Sequence, residues 1–276
     1  MTAVVTAGTP GRGRRGRRHR TPPAWLLGGI GLAGLVAVVE AAPRTGLVDE
    51  RYLPPFSAMV AALAEQGATA EFWQSLLETL RGWAAGLTIA MAAGVVLGIL
   101  IGAVPLVRAA LNSTIEFLRP IPSVALIPLA VLLFGTDMRS TLLLVVYAAF
   151  WQVLVQVLYG VQDVDPVARE TARSYRFRPL TQVRTVIWPT ALPYVMTGFR
   201  LSAAVALILE ITGELIIGSP GLGKQIAVAQ TSGAVASMYA LVIVVGLIGV
   251  AVNVAARAIE RRALRWHPSI RREAAS

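Results

Sequence analysis

The sequence contains no cysteine and few charged residues. The absence of cysteine excludes disulfide bonds and thiolate metal sites. The two histidines, His19 and His267, lie near opposite ends of the chain, so we expect no histidine-built metal centre and no cofactor. Charged residues make up 14% of the 276 residues, whereas a soluble domain carries about a quarter. With 55% hydrophobic residues and a mean hydropathy of +0.65, the composition indicates a membrane protein.

Long apolar runs make up most of the sequence. A membrane helix needs about 20 residues to cross about 30 Å of hydrocarbon, and four uncharged stretches are long enough: 21–39, 82–107, 140–162 and 225–256. Two further apolar stretches, 120–136 and 190–217, contain prolines or charges. They are still counted as spans, because neighbouring helices satisfy the carbonyls that a proline frees. The predicted fold is therefore all-α, with six transmembrane helices.

The net charge of +10 is concentrated at the two ends of the chain. Six arginines precede the first apolar run and six follow the last one: Arg12, Arg14, Arg15, Arg17, Arg18 and Arg20, then Arg257, Arg261, Arg262, Arg265, Arg271 and Arg272. Basic clusters that flank apolar spans resist translocation and favour anionic headgroups. We therefore expect both tails on the cytoplasmic side of a bacterial inner membrane, in contact with its lipids. We expect no binding to nucleic acid.

These features divide the chain into five parts. They are a basic tail (1–20), a first transmembrane helix (21–42), an outward segment (43–78), a transmembrane core (79–258) and a second basic tail (259–276). An amphipathic stretch, 56–80, is expected to lie along the membrane surface and to lead into the second span. The alternative for the N-terminus is a cleaved signal peptide, although its apolar core is longer than the usual 7–15 residues.

Small residues recur on the second span. Gly82, Gly86, Gly94, Gly98 and Gly102 are separated by four residues or multiples of four. A face of this kind lets membrane helices approach closely, so we interpret it as a packing signal.

The longest inward loop, 163–189, has clear local signals. Asp165 is placed to cap a helix that begins with Pro166 and runs toward Arg176. A second short helix is expected from Leu180, ending before Pro189. The loop could simply rest on lipid headgroups, or its two helices could suggest a DNA-binding motif. The second alternative fails because both ends are tethered to membrane spans.

Here the sequence resembles a known family, the integral-membrane permease subunits of ATP-binding cassette importers. Their inward loop carries the pattern Glu-Ala-Ala, three residues, Gly, and later a hydrophobic residue followed by proline. Glu170, Thr171 and Ala172 stand for the first three positions, and Pro189 follows at the family's spacing. The segments "LRPIPSVALIPL", "FGTDMRS", "GLGKQI" and "LRWHP" are similar to the nitrate, sulfonate and taurine branch. The resemblance extends from about the second span to the end of the chain.

The resemblance implies partners and a mechanism. The loop would insert into a cleft of a cytoplasmic ATPase subunit, with Glu170 as the anchoring carboxylate and Ala172 allowing close packing. The ATPase dimer would rock two copies of the permease, a homodimer, between outward and inward openings. A separate extracytoplasmic solute-binding protein would deliver the solute. A nitrate-like, sulfonate-like or taurine-like anion is expected, with a vitamin precursor or another small organic solute as the alternative.

Two positions depart from the family pattern. The loop glycine, which permits a tight turn, is replaced by Arg176, and a proline often found in the fourth span is replaced around Trp151 and Gln152. The first change affects how the loop meets its partner, and the second affects how the span bends.

The stretch "GSPGLGKQ", 218–225, is one residue away from a phosphate-binding loop. Gly218, Gly223 and Lys224 match, but Gln225 stands where the motif needs a serine or threonine to hold Mg²⁺. Its flanks are membrane helices and its expected location is the outer face. We therefore interpret it as a tight turn between the last two spans, and the chain as the neighbour of an ATPase.

Glu210 and Glu214 lie four residues apart on the fifth span. Carboxylates inside a membrane are costly and usually face a bundle interior or water, so both are candidates to line the pathway or its gate. The alternative is internal hydrogen bonding or ion pairing. If the chain were a self-sufficient secondary transporter, these two residues would carry coupling protons.

An enzyme inside the membrane is not expected, because no nucleophile–base pair or metal set is present. Arg200, on the fifth span, is expected to reach the inner headgroups.

Overall fold

The computed structural model describes residues 24–266, and within them the chain is all-α with no strand. This confirms the predicted fold class. The basic segments 1–20 and 267–276, with both histidines, lie outside the described residues. The helices are α1 Ala24–Arg44, α2 Phe56–Gly67, α3 Ala70–Ala103, α4 Pro105–Leu118, α5 Ile127–Phe134, α6 Met138–Gln162, α7 Pro166–Ser174, α8 Pro179–Gln182, α9 Trp188–Ile217, α10 Leu222–Thr231 and α11 Val235–Ala263.

Four of these helices, α1, α3, α6 and α11, are long and apolar enough to cross a membrane. The count reaches six if two bent pairs each make one span: α4 with the segment Ser123–Phe134, bent by 84°, and the segment Pro179–Ile217 with α10, bent by 43°. On that count the six expected crossings would be four continuous helices and two broken ones.

The second span differs from the predicted 82–107 at both ends. It begins twelve residues earlier because the Thr69 hydroxyl accepts a hydrogen bond from the Phe72 N–H and caps α3. It ends at Ala103 because Pro105 disfavours helical backbone at Val104, which is extended at φ −111° and ψ 104°. The amphipathic stretch 56–80 is accordingly split between α2 and the first turns of α3.

The limits of the third and sixth predicted spans were also wrong. Within 120–136, Pro122 is followed by a short 3-10 turn, Ser123–Leu126, and only eight residues of α-helix in α5. Within 225–256, the chain breaks after α10 at Gly233, whose φ is +73°, and the long helix α11 starts at Val235. A left-handed glycine ends a helix because no Cβ opposes the turn.

The core of the bundle is α6, packed between α3 and α9. On its α3 side, valines of α6 face the glycines of α3, pairing Val145 with Gly86, Val153 with Gly94, Val157 with Gly98 and Val161 with Gly102. A Cβ atom on Gly98 would lie only 2.7 Å from Val157 Cβ. Ala90 and Ala149, both fully buried, continue the same small-residue contact. The predicted close-packing face is thereby confirmed.

Glycines also allow close packing between α6 and α9. A Cβ on Gly160 would lie 2.9 Å from the Ala191 Cα, and a Cβ on Gly213 would lie 2.6 Å from the Thr141 Cγ2. Trp83 Nε1 then ties α3 to α9 by donating to the Ala203 carbonyl at 2.9 Å. Helices α3, α6 and α9 therefore form one tightly packed unit.

Helix α1 stands apart from this unit. Its main polar tie is to α2, where the Ser57 N–H donates to Glu40 Oε2 at 2.9 Å and Arg44 Nη2 donates to Ser57 Oγ at 3.2 Å. Apolar side chains such as Ile30 and Leu35 are about 60% exposed. A spanning helix with this much apolar surface is suited to contact lipid.

The glycine–valine contact generates a stability prediction. We expect Gly98→Ala to lower the free energy of unfolding by about 1–3 kcal/mol, because the added methyl group has no room beside Val157. The measurement is thermal or denaturant unfolding of the purified protein in detergent. Gly246→Ala on α11 is the matched control, since nothing lies within 4 Å of a Cβ there. The double variant Gly98→Ala/Val157→Ala should recover part of the loss, and equal behaviour of the two single variants would contradict the packing argument.

Candidate functional site

The loop that joins α6 to α9 is built from α7 and α8, as the sequence predicts. The Asp165 carboxylate accepts a hydrogen bond from the Val167 N–H at 2.8 Å, and Pro166 occupies the first position of α7. Proline suits that position because the first N–H groups of a helix have no partner within it. This end of the bundle is called the loop end below.

The turn between α7 and α8 has the hydrogen bonds of a Schellman motif. The Phe177 N–H donates to the Ala172 carbonyl at 3.0 Å, and the Arg176 N–H donates to the Arg173 carbonyl at 2.8 Å. Arg176 is the only described non-glycine residue with a positive φ, at 53°. Glycine usually fills this position because a Cβ crowds the backbone there. The geometry thus explains why a glycine suits the family's loop at the place where this chain has arginine.

Helix α7 is held against the ends of α3 and α6. Ala172 is only 4% exposed and shares a small cavity of about 150 Å³ with Val104 at the end of α3. Arg169 Nη2 donates to the Val161 carbonyl in the last turns of α6 at 2.9 Å. Val164, which lies between α6 and α7, is buried in an apolar cluster that includes Val161. The loop is therefore a fixed projection of the bundle.

The second half of the loop differs from the prediction. The helix that begins at Pro179 does not stop before Pro189, because a π-helical segment, Val183–Ile187, carries the chain directly into α9. Proline lacks an N–H and its ring crowds the preceding turn, and a π segment is one of the irregularities by which a helix absorbs such a break. Pro189 is half-buried beside a cavity of about 460 Å³.

Several loop side chains face outward and are exposed. Glu170 is exposed and makes no hydrogen bond or ion pair with any other described residue. Thr171, also exposed, donates only to the Val167 carbonyl, at 2.8 Å. Tyr175 and Leu180 are 75% and 79% exposed. Exposed apolar side chains grouped beside charges mark an interaction surface.

At the opposite end of the bundle, Glu214 is fully buried and fully hydrogen-bonded. Thr79 Oγ1 donates to Glu214 Oε1 at 2.7 Å, and the Gly223 N–H donates to Glu214 Oε2 at 2.8 Å. Thr79 Oγ1 in turn accepts from the Leu222 N–H at 2.9 Å. The carboxylate therefore ties α3 and α9 to the N-terminus of α10, where free N–H groups favour negative charge.

The near-match to a phosphate loop is explained by this contact. A Cβ on Gly221, whose φ is 149°, would collide with the Glu214 carboxyl group, and a Cβ on Gly223 would lie 2.5 Å from the Ile211 carbonyl oxygen. The glycines of "GSPGLGKQ" thus let a backbone amide approach a carboxyl group of the same protein, where a phosphate loop would approach a phosphate. Helix α10 follows this turn, which sequence reasoning had merged with the last span.

Glu210 lies one helical turn before Glu214 and is 2% exposed. Its carboxyl group lies against the backbone of Gly82, and its Oε2 atom has no hydrogen-bond partner among the described residues. The pathway or gate role expected for Glu210 and Glu214 stays a prediction. Arg200 pairs with Glu260 of α11 at 3.3 Å, and its expected reach to the headgroups stays a prediction.

The predicted site residues therefore fall into two groups, one beside the start of α9 and one toward its other end. Glu170, Thr171, Ala172, Arg176 and Pro189 lie at the loop end, and the two buried glutamates lie toward the other end of α9. Sequence reasoning missed Thr79, because a single threonine in an amphipathic stretch gives no signal of its own. Within residues 24–266 no group of three His, Cys, Asp or Glu side chains could hold a metal ion.

Residues 94–265 match the profile of a family described as binding-protein-dependent transport system inner membrane component. The chain is 29% identical over 260 residues to the putative aliphatic sulfonates transport permease protein SsuC of Bacillus subtilis (strain 168), covering 94% of this chain and 91% of that one. It is 31% identical over 244 residues to the taurine transport system permease protein TauC of Escherichia coli (strain K12), covering 87% and 89%. The nitrate import permease protein NrtB of Leptolyngbya laminosa is 29% identical over 182 residues, covering 66% and 65%.

Two solved structures share the fold. A chain of the inward-facing MetNI methionine ABC transporter superposes with a TM-score of 0.59 at 17% identity, covering 70% of this chain and 96% of that one. A chain of an amino acid ABC transporter crystallised with histidines gives a TM-score of 0.58 at 21% identity, covering 72% and 97%. At these identities the likeness establishes the fold alone.

The Glu214 contact leads to a second prediction. We expect Thr79→Val to lower the free energy of unfolding by about 1–3 kcal/mol, because it leaves the Leu222 N–H without an acceptor and Glu214 Oε1 without its donor. Thr88→Val is the matched control on the same helix, since that exposed hydroxyl donates only to the Ala84 carbonyl one turn away. Unfolding of the purified proteins in detergent measures both. A Thr79→Val protein as stable as the control would contradict a structural role for the contact.

Proposed function

The chain belongs to the family of binding-protein-dependent transport system inner membrane components, and from this premise we propose which solute it carries and how it couples to its motor. The family recognised from the loop pattern is confirmed. The protein is a multi-pass inner-membrane permease subunit of an ABC importer, and this family works with an ATP-binding subunit and a solute-binding protein.

The proposed solute is a small sulfonate-type anion. The relatives that align over most of this chain are named for aliphatic sulfonates and for taurine, and a shorter alignment joins it to a nitrate permease. A vitamin precursor or another small organic solute is the alternative. The solute-binding protein, which is a separate chain, would make the main selection.

The proposed docking site for the ATP-binding subunit is the loop 163–189. The observation that carries this proposal is the form of the loop: α7 is fixed to the bundle through Ala172 and Arg169, while Glu170 and Tyr175 project from it and are exposed. A projection whose base is fixed to the bundle and whose tip exposes charged and aromatic side chains is suited to bind in a partner's cleft.

The proposed coupling runs along one nearly continuous helix. From Pro179 the chain passes through the π segment into α9, which alone is about 45 Å long at 1.5 Å per residue. At the far end of α9, Glu214 holds α10 and α3. A displacement of the loop by the ATP-binding subunit would therefore be transmitted as a rigid movement to the opposite side of the membrane.

The proposed assembly contains two copies of this chain and a dimer of ATP-binding subunits. We place both termini and the loop in the cytoplasm, which the distribution of arginines favours. A proton-coupled secondary transporter is the second candidate, and the observation in its favour is the buried, incompletely hydrogen-bonded carboxyl group of Glu210.

Reconstitution into liposomes tests the function. With the ATP-binding subunit and the solute-binding protein present, we expect uptake of radiolabelled taurine or ethanesulfonate that requires ATP. The permease alone should give no uptake. Uptake by the permease alone under a proton gradient would favour the secondary transporter, and competition among taurine, ethanesulfonate and nitrate would rank the solutes.

The docking proposal is tested by charge reversal at Glu170. We expect Glu170→Lys to abolish co-purification with the ATP-binding subunit and ATP-dependent uptake, because the anchoring carboxylate is replaced by a cation. The amount of protein in the membrane fraction should not change, since the Glu170 side chain is exposed and makes no hydrogen bond or ion pair within the described chain. Glu65→Lys, at an exposed position of α2 at the other end of the bundle, is the control. Normal assembly of the Glu170→Lys protein would count against docking at this loop.

A further inference from the structure

The turn between α7 and α8 carries three arginines beside an exposed tyrosine. Arg173 lies in the last turn of α7, Arg176 occupies the left-handed position, and Arg178 precedes α8. All three are exposed, and none of their side chains makes a hydrogen bond or ion pair with another residue of the described chain. Tyr175 stands between them with 75% of its surface exposed.

No carboxylate of the loop itself neutralises these arginines. Asp165 is used to cap α7, and Asp163 accepts a hydrogen bond from the Tyr194 hydroxyl at 3.0 Å. Glu170 lies three residues before Arg173 on α7 and makes no ion pair with it in the described chain. The tip of the loop therefore concentrates three arginines that form no ion pair with a described residue.

The backbone conformation of Arg176 is a second observation about this group of arginines. Its φ of 53° belongs to the region that glycine adopts at no steric cost, and any other side chain strains the backbone there. The chain nevertheless has a long cationic side chain at the point of the turn. A favourable contact of the guanidinium group with a partner would offset that strain.

We propose that Arg173, Arg176 and Arg178 form a basic clamp that binds acidic side chains on the ATP-binding subunit. The inference rests on the proposed docking of the loop and adds the chemistry of the partner's surface, which should present two or more carboxylates. Arginine is suited to this because its planar guanidinium group binds a carboxylate through two parallel hydrogen bonds. Arginine and tyrosine are also the residues most enriched where interfaces concentrate their binding energy.

An anionic membrane surface is the competing acidic partner, and the charge pattern favours a protein. Glu170 is exposed on the same short helix as Arg173. A negatively charged headgroup layer would repel that carboxylate while attracting the arginines. A protein cleft offers acidic and basic groups at separate places and accommodates both.

Neutralisation with a matched control tests the clamp. The triple variant Arg173→Gln/Arg176→Gln/Arg178→Gln is compared with Arg257→Gln/Arg261→Gln/Arg262→Gln, which removes three exposed charges from the end of α11 on the same side of the bundle. Each protein is placed in nanodiscs of phosphatidylcholine, and its affinity for the purified ATP-binding subunit is measured at low and high salt. We expect the turn variant to bind about tenfold more weakly with a flatter salt dependence, because interfacial charges act through screened attraction. The control variant should stay within about twofold of the wild-type chain.

Two single substitutions separate charge from backbone strain. Arg176→Gly relieves the strain and removes the charge, whereas Arg176→Lys keeps both the strain and a positive charge. We expect Arg176→Gly to raise the melting temperature slightly and yet to weaken binding of the ATP-binding subunit several-fold. Arg176→Lys should bind more tightly than Arg176→Gly. Binding by Arg176→Gly as tight as that of wild type would overturn the clamp.

The remaining outcomes distinguish this inference from the proposed function. If the wild-type chain binds the ATP-binding subunit with no dependence on salt, the clamp is wrong and docking at the loop stands. If the turn variant differs from wild type only in nanodiscs that contain phosphatidylglycerol, the arginines bind headgroups and the clamp is again wrong. If the wild-type chain does not bind the ATP-binding subunit at any salt concentration, the proposed docking itself fails.

Discussion

The whole structure depends on how closely α3 and α9 approach α6. Glycines on α3 leave no side chain between that helix and the valines of α6, so the two backbones are nearly in contact at Gly94 and Gly98. Within a membrane the apolar surroundings give helices little reason to associate, and close van der Waals packing takes over that role. A packed unit of this kind is rigid, because interiors at crystal-like density resist deformation.

Because this unit is rigid, it can transmit a movement of the loop. Helix α7 is fixed to the ends of α3 and α6 by Ala172 and Arg169, and α8 continues into α9 without a break in helical backbone. At the far end, the chain first changes direction at Gly218–Gly221, where Glu214 fastens α10 to the bundle. The helical backbone is therefore continuous from the loop to Glu214, and the glycine turns lie beyond that residue.

Sequence patterns predicted the features that follow from local rules. The spacing of the glycines on α3 predicted the close contact, and Asp165 followed by Pro166 predicted the start of α7. The π segment before Pro189 was not predictable in the same way, since proline equally signals the end of a helix. Thr79 and α10 were missed because their role depends on a contact between residues more than 100 positions apart.

The same distinction explains how the loop tolerates Arg176 where a family member has glycine. If the residue at the turn alone decided the backbone conformation, an arginine there would open the turn. Two hydrogen bonds to Ala172 and Arg173 close it instead, and burial of Ala172 against the end of α3 holds the residue that accepts one of them. A left-handed non-glycine residue costs about 1–2 kcal/mol, which is comparable to the contribution of one or two such hydrogen bonds. The shape of the loop is thus imposed by its base on the bundle, and the side chain at its tip is left free to serve the partner.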